Sequence, residues 1–177
     1  MRLICFGDSN TYGYDPRGFF GGRYDARDRW VDLVAQFSGW ELYNAGENGR
    51  QIPSTTAPID GDIFLVMLGT NDLLQGASAQ EAAGRMEVFL KQLIPYYHKL
   101  LLLAPPPLCR GAWVPTDALV EESIRLGDTY FAVADKVSIP FIDTRSWHIP
   151  LSFDGVHFTQ EGHRIFAEHL FSALCDL

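Results

Sequence analysis

The chain has 177 residues, of which 47% are hydrophobic, and a formal net charge of -8 at pH 7. This length suits one domain with a sizeable core, and the apolar content is typical of a folded globule, not of a disordered chain. The acidic balance argues against nucleic acid as a partner, because binding to a phosphate backbone requires clustered Lys and Arg side chains.

Five short apolar runs along the chain have the length and composition of buried parallel strands. These runs are residues 3–6, 41–44, 63–68, 99–103 and 139–142. The first of them ends in a glycine followed at once by polar residues. Each run is too short to cross a membrane, which takes roughly 18 apolar residues.

Four segments that alternate with these runs carry apolar residues at helical spacing. The apolar positions are Trp30, Leu33, Val34 and Phe37; Met86, Phe89, Leu90, Leu93, Ile94 and Tyr97; Val120, Ile124, Phe131 and Ala134; and Ile165, Phe166, Leu170 and Leu174. Ser78 followed by Glu81 forms a capping box, which predicts the start of the second helix.

The alternation of strands and helices predicts an α/β fold with right-handed crossovers. We expect a three-layer α/β/α sandwich with a roughly five-stranded parallel sheet, flavodoxin-like in arrangement. No repeat, charge block or linker divides the sequence, so residues 1–177 are predicted to form a single domain. Ligands of such sheets bind at the carboxyl ends of the strands.

Polar segments stand after the first three predicted strands and before the last helix. They are GDSN at 7–10, NAGENGR at 44–50, GTND at 69–72 and DGVHFT at 154–159. Because the carboxyl ends of parallel strands meet at one edge of a sheet, we expect these segments to bring five candidate residues together. The five are Ser9, Gly49, Asn71, Asp154 and His157.

These residue types suit nucleophilic catalysis. A serine hydroxyl is a weak nucleophile until a base accepts its proton, and that base needs a third group to orient it. Asp154 and His157 are close enough in sequence for one turn to let the carboxylate accept the imidazole Nδ1–H, so that Nε2 faces Ser9. The backbone N–H of Ser9 or Gly49 and the Asn71 amide are suitable donors to an oxyanion.

The same segments resemble those of the SGNH, or GDSL-type, hydrolase superfamily. FGDSNTYG is similar to block I, NAGENG to block II, GTND to block III and DGVH to block V, and they occur in the family's order. The strings RW, MLGTND and APPPL look most like the small bacterial arylesterase and acyltransferase branch. The resemblance implies the SGNH hydrolase fold, with Ser9 as nucleophile, His157 as base and Asp154 as its orienting partner.

By the same resemblance, the oxyanion hole consists of the N–H of Ser9, the N–H of Gly49 and the side chain of Asn71. Two positions depart from the family pattern. Asn10 replaces the leucine of the GDSL motif, a change that we expect to be harmless. Block II lacks the frequent serine before its glycine, so Gly46 stays an alternative to Gly49.

The alternatives to a serine esterase are an FMN-binding module and a non-catalytic, carbohydrate-binding descendant of the hydrolase fold. A hydroxyl-rich loop after the first strand of a flavodoxin-like sheet could hold a flavin phosphate, but the Asp8 carboxylate would repel it. Neither alternative explains why Asp154 accompanies His157. The chain has no Walker A or GxGxxG motif, and we expect neither a cofactor nor a metal.

The predicted partner is a small-molecule ester. Residues 12–28 and 105–115 form loops placed to line its pocket, although they could also be plain surface loops. A small domain without a lid favours short acyl groups such as acetyl, and transfer of the acyl group to an alcohol is a plausible side activity. Phe19, Phe20 and Trp113 could instead form a subunit contact, so a homo-oligomer is an alternative use of these aromatics.

The cysteines and the first residues indicate the compartment. Cys5, Cys109 and Cys175 include no CxxC pair and give an odd count, which is typical of reduced thiols. Residues 1–9 carry a single basic side chain and no small-residue cleavage site, unlike a signal peptide. We therefore expect a cytoplasmic protein without a membrane partner, in which Cys5 is part of the core.

Overall fold

The computed structural model describes residues 1–18 and 22–176, and in these ranges strands and helices alternate. The strands are β1 (Arg2–Gly7), β2 (Tyr14–Asp15), β3 (Gly22–Arg23), β4 (Glu41–Gly46), β5 (Ile63–Met67), β6 (Lys99–Leu103) and β7 (Phe141–Ile142). The α-helices are α1 (Ser9–Tyr12), α2 (Trp30–Ser38), α3 (Thr70–Leu74), α4 (Ala79–Leu93), α5 (Asp117–Val137) and α6 (Gln160–Cys175).

A five-stranded parallel sheet in the order β4-β1-β5-β6-β7 lies at the centre of the protein. The predicted α/β sandwich is confirmed, and each of the five predicted strands is present, the first four with similar bounds and the last only at Phe141–Ile142 instead of 139–142. The short antiparallel pair of β2 and β3 was not predicted. It lies outside the main sheet, in the loop that follows α1.

Both faces of the sheet are covered, which explains why its strands are apolar without interruption. Alternate residues of β1 point to opposite faces. Leu3 and Cys5 belong to a core shared with α2 and α6, whereas Ile4 and Phe6 belong to a core shared with α4 and α5. Cys5 is fully buried in the core, as predicted.

The predicted helices are present, and the capping box of Ser78 and Glu81 begins α4. The prediction for this segment was wrong at its end, because α4 stops at Leu93 and Tyr97 lies beyond it. Tyr97 is still buried, and its hydroxyl accepts a hydrogen bond from the N–H of Ile59 at 2.7 Å and donates to its carbonyl at 2.8 Å.

The predicted apolar face of α5 was also partly wrong. Ile124 and Phe131 are 45% and 60% exposed. The face that packs against the protein instead contains Ser123, Leu126, Gly127, Tyr130, Val133 and Ala134. None of the helices in the described residues is long and apolar enough to span a membrane.

The carboxyl ends of three neighbouring strands lead directly into the predicted site. Ser9 follows β1, the 44–50 segment follows β4, and Asn71 follows β5. Gly46 at the end of β4 lies against α1, where a Cβ atom would stand only 2.1 Å from the backbone nitrogen of Tyr12. A larger residue at this position would therefore push apart the two segments that approach the site.

Candidate active site

Ser9 is the first residue of α1, on a tight strand-to-helix turn. The preceding Asp8 caps this helix, because its carboxylate accepts a hydrogen bond of 2.9 Å from the N–H of Asn10. Gly7 permits the turn, since a Cβ atom there would stand 2.0 Å from Oγ1 of Thr11 and 2.9 Å from the carbonyl of Met67. The turn holds the Ser9 hydroxyl at the carboxyl edge of the sheet.

Ser9, His157 and Asp154 form one line of hydrogen bonds. His157 Nε2 lies 3.0 Å from Ser9 Oγ, and His157 Nδ1 lies 2.8 Å from Asp154 Oδ2. With the Nδ1–H donating to the carboxylate, the Nε2 lone pair faces the serine hydroxyl. All three side chains are buried. This geometry suits proton transfer from the hydroxyl to the imidazole, with the carboxylate orienting the ring.

The Asp154 carboxylate also shapes its own turn. Its Oδ1 atom accepts hydrogen bonds of 2.9 Å from the N–H groups of Val156 and His157. Burial by itself would raise the pKa of Asp154, but hydrogen bonds from the His157 ring and from these backbone groups outweigh it and lower the pKa below its ordinary value. The carboxylate therefore stays charged beside the imidazole.

Residues 109–114 pack against this turn and form hydrogen bonds with it. Gly155 has a positive φ of 80°, and a Cβ atom there would stand 2.1 Å from the carbonyl of Cys109, so the turn requires glycine. Hydrogen bonds join Cys109 N–H to the Gly155 carbonyl and Trp113 N–H to the Asp154 carbonyl, at 3.1 and 3.0 Å. The predicted loop after the fourth main-sheet strand thus supports the carboxylate–histidine segment.

Asn71 and Gly49 lie on the two segments that approach Ser9 from β5 and β4. The Asn71 Nδ2 atom donates a hydrogen bond of 3.1 Å to the carbonyl of Arg50, which uses one of its two N–H bonds and fixes the amide. Gly49 is exposed, with a φ of 75°, in a turn closed by a 3.2 Å bond from Arg50 N–H to the Glu47 carbonyl.

The geometry bears on the choice between Gly46 and Gly49 as an oxyanion donor. The N–H of Gly46 already donates to Oδ1 of Asn44 at 3.0 Å. Because the Gly46 N–H is engaged in this hydrogen bond, it is not available to a substrate oxyanion. This favours Gly49 over Gly46 as the donor. The Gly46 position is better explained by its close packing against Tyr12.

Arg50 is a residue of this site that the sequence did not single out. One guanidinium nitrogen donates to the carbonyls of Gly7, at 2.9 Å, and Ala45, while another pairs with Glu47 at 2.7 Å. The guanidinium also lies over the Phe6 ring, 4.2 Å from its centroid. Arg50 therefore ties the end of β1 to the end of β4. An arginine after a glycine carries no sequence signal for such a contact.

Two buried carboxylates flank these segments. Burial raises the pKa of Asp8 to about 6, although the Asn10 N–H and the nearby His157 and Arg50 act in the opposite direction. Asp72 is fully buried and accepts hydrogen bonds from Ile52 N–H at 3.0 Å and from Arg85 at 2.8 Å. Asp72 thereby joins the segment after β5 to the chain that follows Gly49.

Two aromatic rings contact His157, one from each loop predicted to line the pocket. The Tyr14 ring lies 4.6 Å from the imidazole in a tilted arrangement, and the Trp113 ring lies 5.1 Å from it edge-on. Trp113 is still 52% exposed. Phe19 and Phe20, the other aromatics named for this region, lie outside the described residues.

Two further histidines, His163 and His169, pack against aromatic rings. His163 is fully buried, with its ring edge-on to Tyr24, and burial lowers its pKa to about 3. His169 stacks on Trp147 at 5.3 Å. Across residues 1–18 and 22–176, no group of three or more His, Cys, Asp or Glu side chains is placed to hold a metal ion.

Comparisons with known proteins bear on the family and the fold of this chain. The model of the GDSL-like lipase/acylhydrolase family matches residues 5–165. An aryl esterase of M. smegmatis is 25% identical with a TM-score of 0.85, and the match covers 99% of each chain. A carbohydrate acetylesterase family member from Sinorhizobium meliloti is 26% identical with a TM-score of 0.82, over 98% of this chain and 96% of that one.

A third structure, a member of the lipolytic protein G-D-S-L family from Veillonella parvula, is 21% identical with a TM-score of 0.78 over the whole of both chains. It supports the fold alone. Among curated protein sequences, no relative matches this chain.

Proposed function

Because the chain belongs to the GDSL-like lipase/acylhydrolase family, we propose that it is a serine esterase that hydrolyses short-chain, acetyl-like carboxylic esters through an acyl-enzyme on Ser9. The observation that carries this proposal is the buried hydrogen-bonded line from Ser9 Oγ through the His157 ring to Asp154. In this line Ser9 is the proposed nucleophile, His157 the proposed base and Asp154 the group that orients the base.

In the first half of the reaction, Ser9 Oγ attacks the ester carbonyl carbon while His157 Nε2 accepts the hydroxyl proton. The carbonyl oxygen becomes an oxyanion, for which the N–H of Ser9, the N–H of Gly49 and the free N–H of the Asn71 amide are the proposed donors. The carbon–oxygen bond to the alcohol then breaks, and the departing alkoxide takes the proton from His157.

In the second half, a water molecule attacks the acyl carbon while His157 Nε2 accepts one of its protons. The bond to Ser9 Oγ breaks, and the serine recovers its hydrogen from His157 as the carboxylic acid leaves. The Asp154 carboxylate stabilises the imidazolium in both halves. The two halves need no metal or cofactor.

The proposed substrate is defined by its acyl group and by its alcohol. The acetyl preference is suggested by the small domain and by the S. meliloti relative, whose name includes acetylesterase. Tyr14 and Trp113, the aromatic rings at His157, would favour an alcohol or leaving group with a flat face. If such an alcohol displaces water from this position, the same acyl-enzyme yields acyl transfer.

We also propose the remaining properties expected from the sequence: a single domain over residues 1–177, a cytoplasmic location and a homo-oligomeric state. The odd, unpaired set of free cysteines supports the location. For the oligomer, the support is the Trp113 ring, which is 52% exposed although one edge contacts His157.

An FMN-binding function conflicts with the residues of the turn after β1. Its phosphate would occupy the turn after β1, where the buried Asp8 carboxylate lies and where the N–H of Asn10 already donates to that carboxylate. A non-catalytic, carbohydrate-binding descendant has no need for the intact line from Ser9 to Asp154.

Hydrolysis of p-nitrophenyl acetate tests the proposal. We expect Ser9→Ala to lower kcat by at least about 10³-fold, because the acyl group then has no attachment point. Ser38→Ala is the control, since it removes a half-buried hydroxyl that donates to the Val34 carbonyl and accepts from the N–H of Trp40, at the end of α2 that leads to the amino end of β4. Retention of about a tenth of wild-type activity in Ser9→Ala would overturn the proposed mechanism.

A further inference from the structure

Asn10, next to Ser9, reaches across to the segment that carries His157. Its Nδ2 atom donates a hydrogen bond of 3.1 Å to the carbonyl of Val156. Its Oδ1 atom accepts a hydrogen bond of 2.9 Å from the N–H of Phe158. Val156 and Phe158 are the residues immediately before and after His157, so one amide group brackets the histidine.

The hydrogen bonds of Asn10 connect the His157 loop to a distant part of the chain, which the hydrogen bonds within the Asp154 turn do not. Asp154 accepts from the N–H groups of Val156 and His157, and the His157 carbonyl accepts from Ser152 N–H at 2.7 Å. Those bonds are local, and they fix His157 relative to its own loop. The Asn10 amide satisfies the neighbouring carbonyl and N–H from 146 and 148 residues away, and thereby fixes the loop relative to the nucleophile turn.

Asn10 is itself held firmly. It is 5% exposed, its N–H donates to the Asp8 carboxylate at 2.9 Å, and its carbonyl accepts a 2.9 Å bond from the indole N–H of Trp30. Trp30 is fully buried between the sheet and α6. Because these contacts fix Asn10, its side chain holds the histidine loop in a defined position relative to α1.

We infer that Asn10 is a positioning residue, which sets the hydrogen bond between Ser9 and His157 by bracketing the histidine with its side-chain amide. The inference rests on the proposed function, in which His157 accepts the Ser9 proton. The leucine that the GDSL motif has at this position offers neither a donor nor an acceptor. The replacement that we expected to be harmless thus has a task of its own in this chain.

Steady-state kinetics on Asn10→Leu and Asn10→Ser test the inference. We expect kcat for p-nitrophenyl acetate to fall about 10- to 100-fold with KM changed by less than about twofold, because misplacement of a reacting group slows the chemical step more than binding. Inactivation by a sulfonyl fluoride, which also requires a Ser9 activated by His157, is expected to slow by the same factor.

Tyr97→Phe is the matched control. The Tyr97 hydroxyl also forms a paired donor and acceptor contact with backbone groups, but at the amino end of the sheet, opposite the site. We expect it to lower the Tm as much as the Asn10 variants do and to leave kcat within about twofold of wild type. A loss of kcat in Asn10→Leu no larger than that in Tyr97→Phe would overturn the inference.

The kinetic results distinguish a failure of the proposed function from a failure of this inference. An inactive wild-type protein would count against the proposed function, whereas active wild type with unchanged Asn10 variants would count against this inference alone. If both variants fail to fold, NMR of the wild-type protein decides. A coupling through the hydrogen bond between the Phe158 amide nitrogen and the Asn10 side-chain carbonyl carbon is expected, and its absence would contradict the bracket.

Discussion

The Nε2 atom of His157 lies 3.0 Å from the Oγ atom of Ser9, although 148 residues separate the two in sequence. Asp154 is only three residues from His157. A local turn therefore orients the proposed base, and the tertiary fold brings the proposed nucleophile next to it. Because the Asp154–His157 turn and the contact between Ser9 and His157 depend on different residues, substitutions can disturb each of them separately.

Asp154→Asn tests the orienting role. We expect kcat for p-nitrophenyl acetate to fall about 10⁴-fold, because an amide N–H facing Nδ1 forces the hydrogen onto Nε2, which then cannot accept the Ser9 proton. The asparagine oxygen can still accept the backbone N–H groups of the turn, so the Tm should change little. Asp143→Asn, on a carboxylate paired with Arg145 away from the site, is the control. A decrease below about tenfold would contradict the role.

Gly49→Ala tests the contribution of the 44–50 turn to the oxyanion hole. Gly39 offers a matched partner, because it also has a positive φ, 69° against 75°, and a Cβ atom at either position meets no atom within 4 Å. Both substitutions should destabilise the fold by roughly 1 to 2 kcal/mol through backbone strain.

Only Gly49→Ala is expected to reduce kcat, by about tenfold or more, since it alone shifts a proposed oxyanion donor. Urea unfolding measures the loss of stability, and ester hydrolysis measures kcat. Equal kcat values for the two alanine variants would remove Gly49 from the proposed oxyanion hole.

Asp8 and His163 should make stability depend on pH with opposite signs. Burial raises the pKa of Asp8 from 3.8 to about 6, so the folded state binds the extra proton and this contribution to stability falls as pH rises through that window. Burial lowers the pKa of His163 from 6.5 to about 3, so the unfolded state binds the extra proton and stability rises with pH.

Between about pH 4 and 6 the two effects oppose each other in the wild-type protein. We expect Asp8→Asn to steepen the rise of unfolding free energy with pH and His163→Gln to expose a decline, each by up to about 1.4 kcal/mol per pH unit. Both replacements keep a hydrogen-bond acceptor for the existing N–H partner. Urea titrations at several pH values measure the slopes, and parallel curves for all three proteins would contradict the assignment.

Much of the fold could be predicted because buried parallel strands leave uninterrupted apolar runs and polar segments follow their ends. The buried face of α5 could not. Ser123 and Tyr130 are polar, yet both are buried, and the Tyr130 hydroxyl donates to the Leu68 carbonyl at 3.0 Å beside the strand end. Phe131, which is strongly apolar, is instead exposed and packs edge-on against Phe141.

The candidate site residues could be predicted from their chemistry and from the order of the four polar segments along the chain. The structure brings Ser9, His157 and Asp154 of this set into one line of hydrogen bonds. The contacts of Arg50 and Asn10 were not predictable in the same way. Their partners are mainly backbone carbonyl and N–H groups, which every residue possesses. A sequence shows that a donor is present, but not which distant carbonyl it will meet.

The double use of the Asp154 carboxylate affects how related sequences should be interpreted. Because one oxygen shapes the turn while the other faces the imidazole, a lineage that abandoned ester cleavage would still be under pressure to keep this aspartate for folding. Its presence is then a poor indicator of retained activity. The Ser9 hydroxyl, whose hydrogen bond within the described residues is to His157, is the more informative marker.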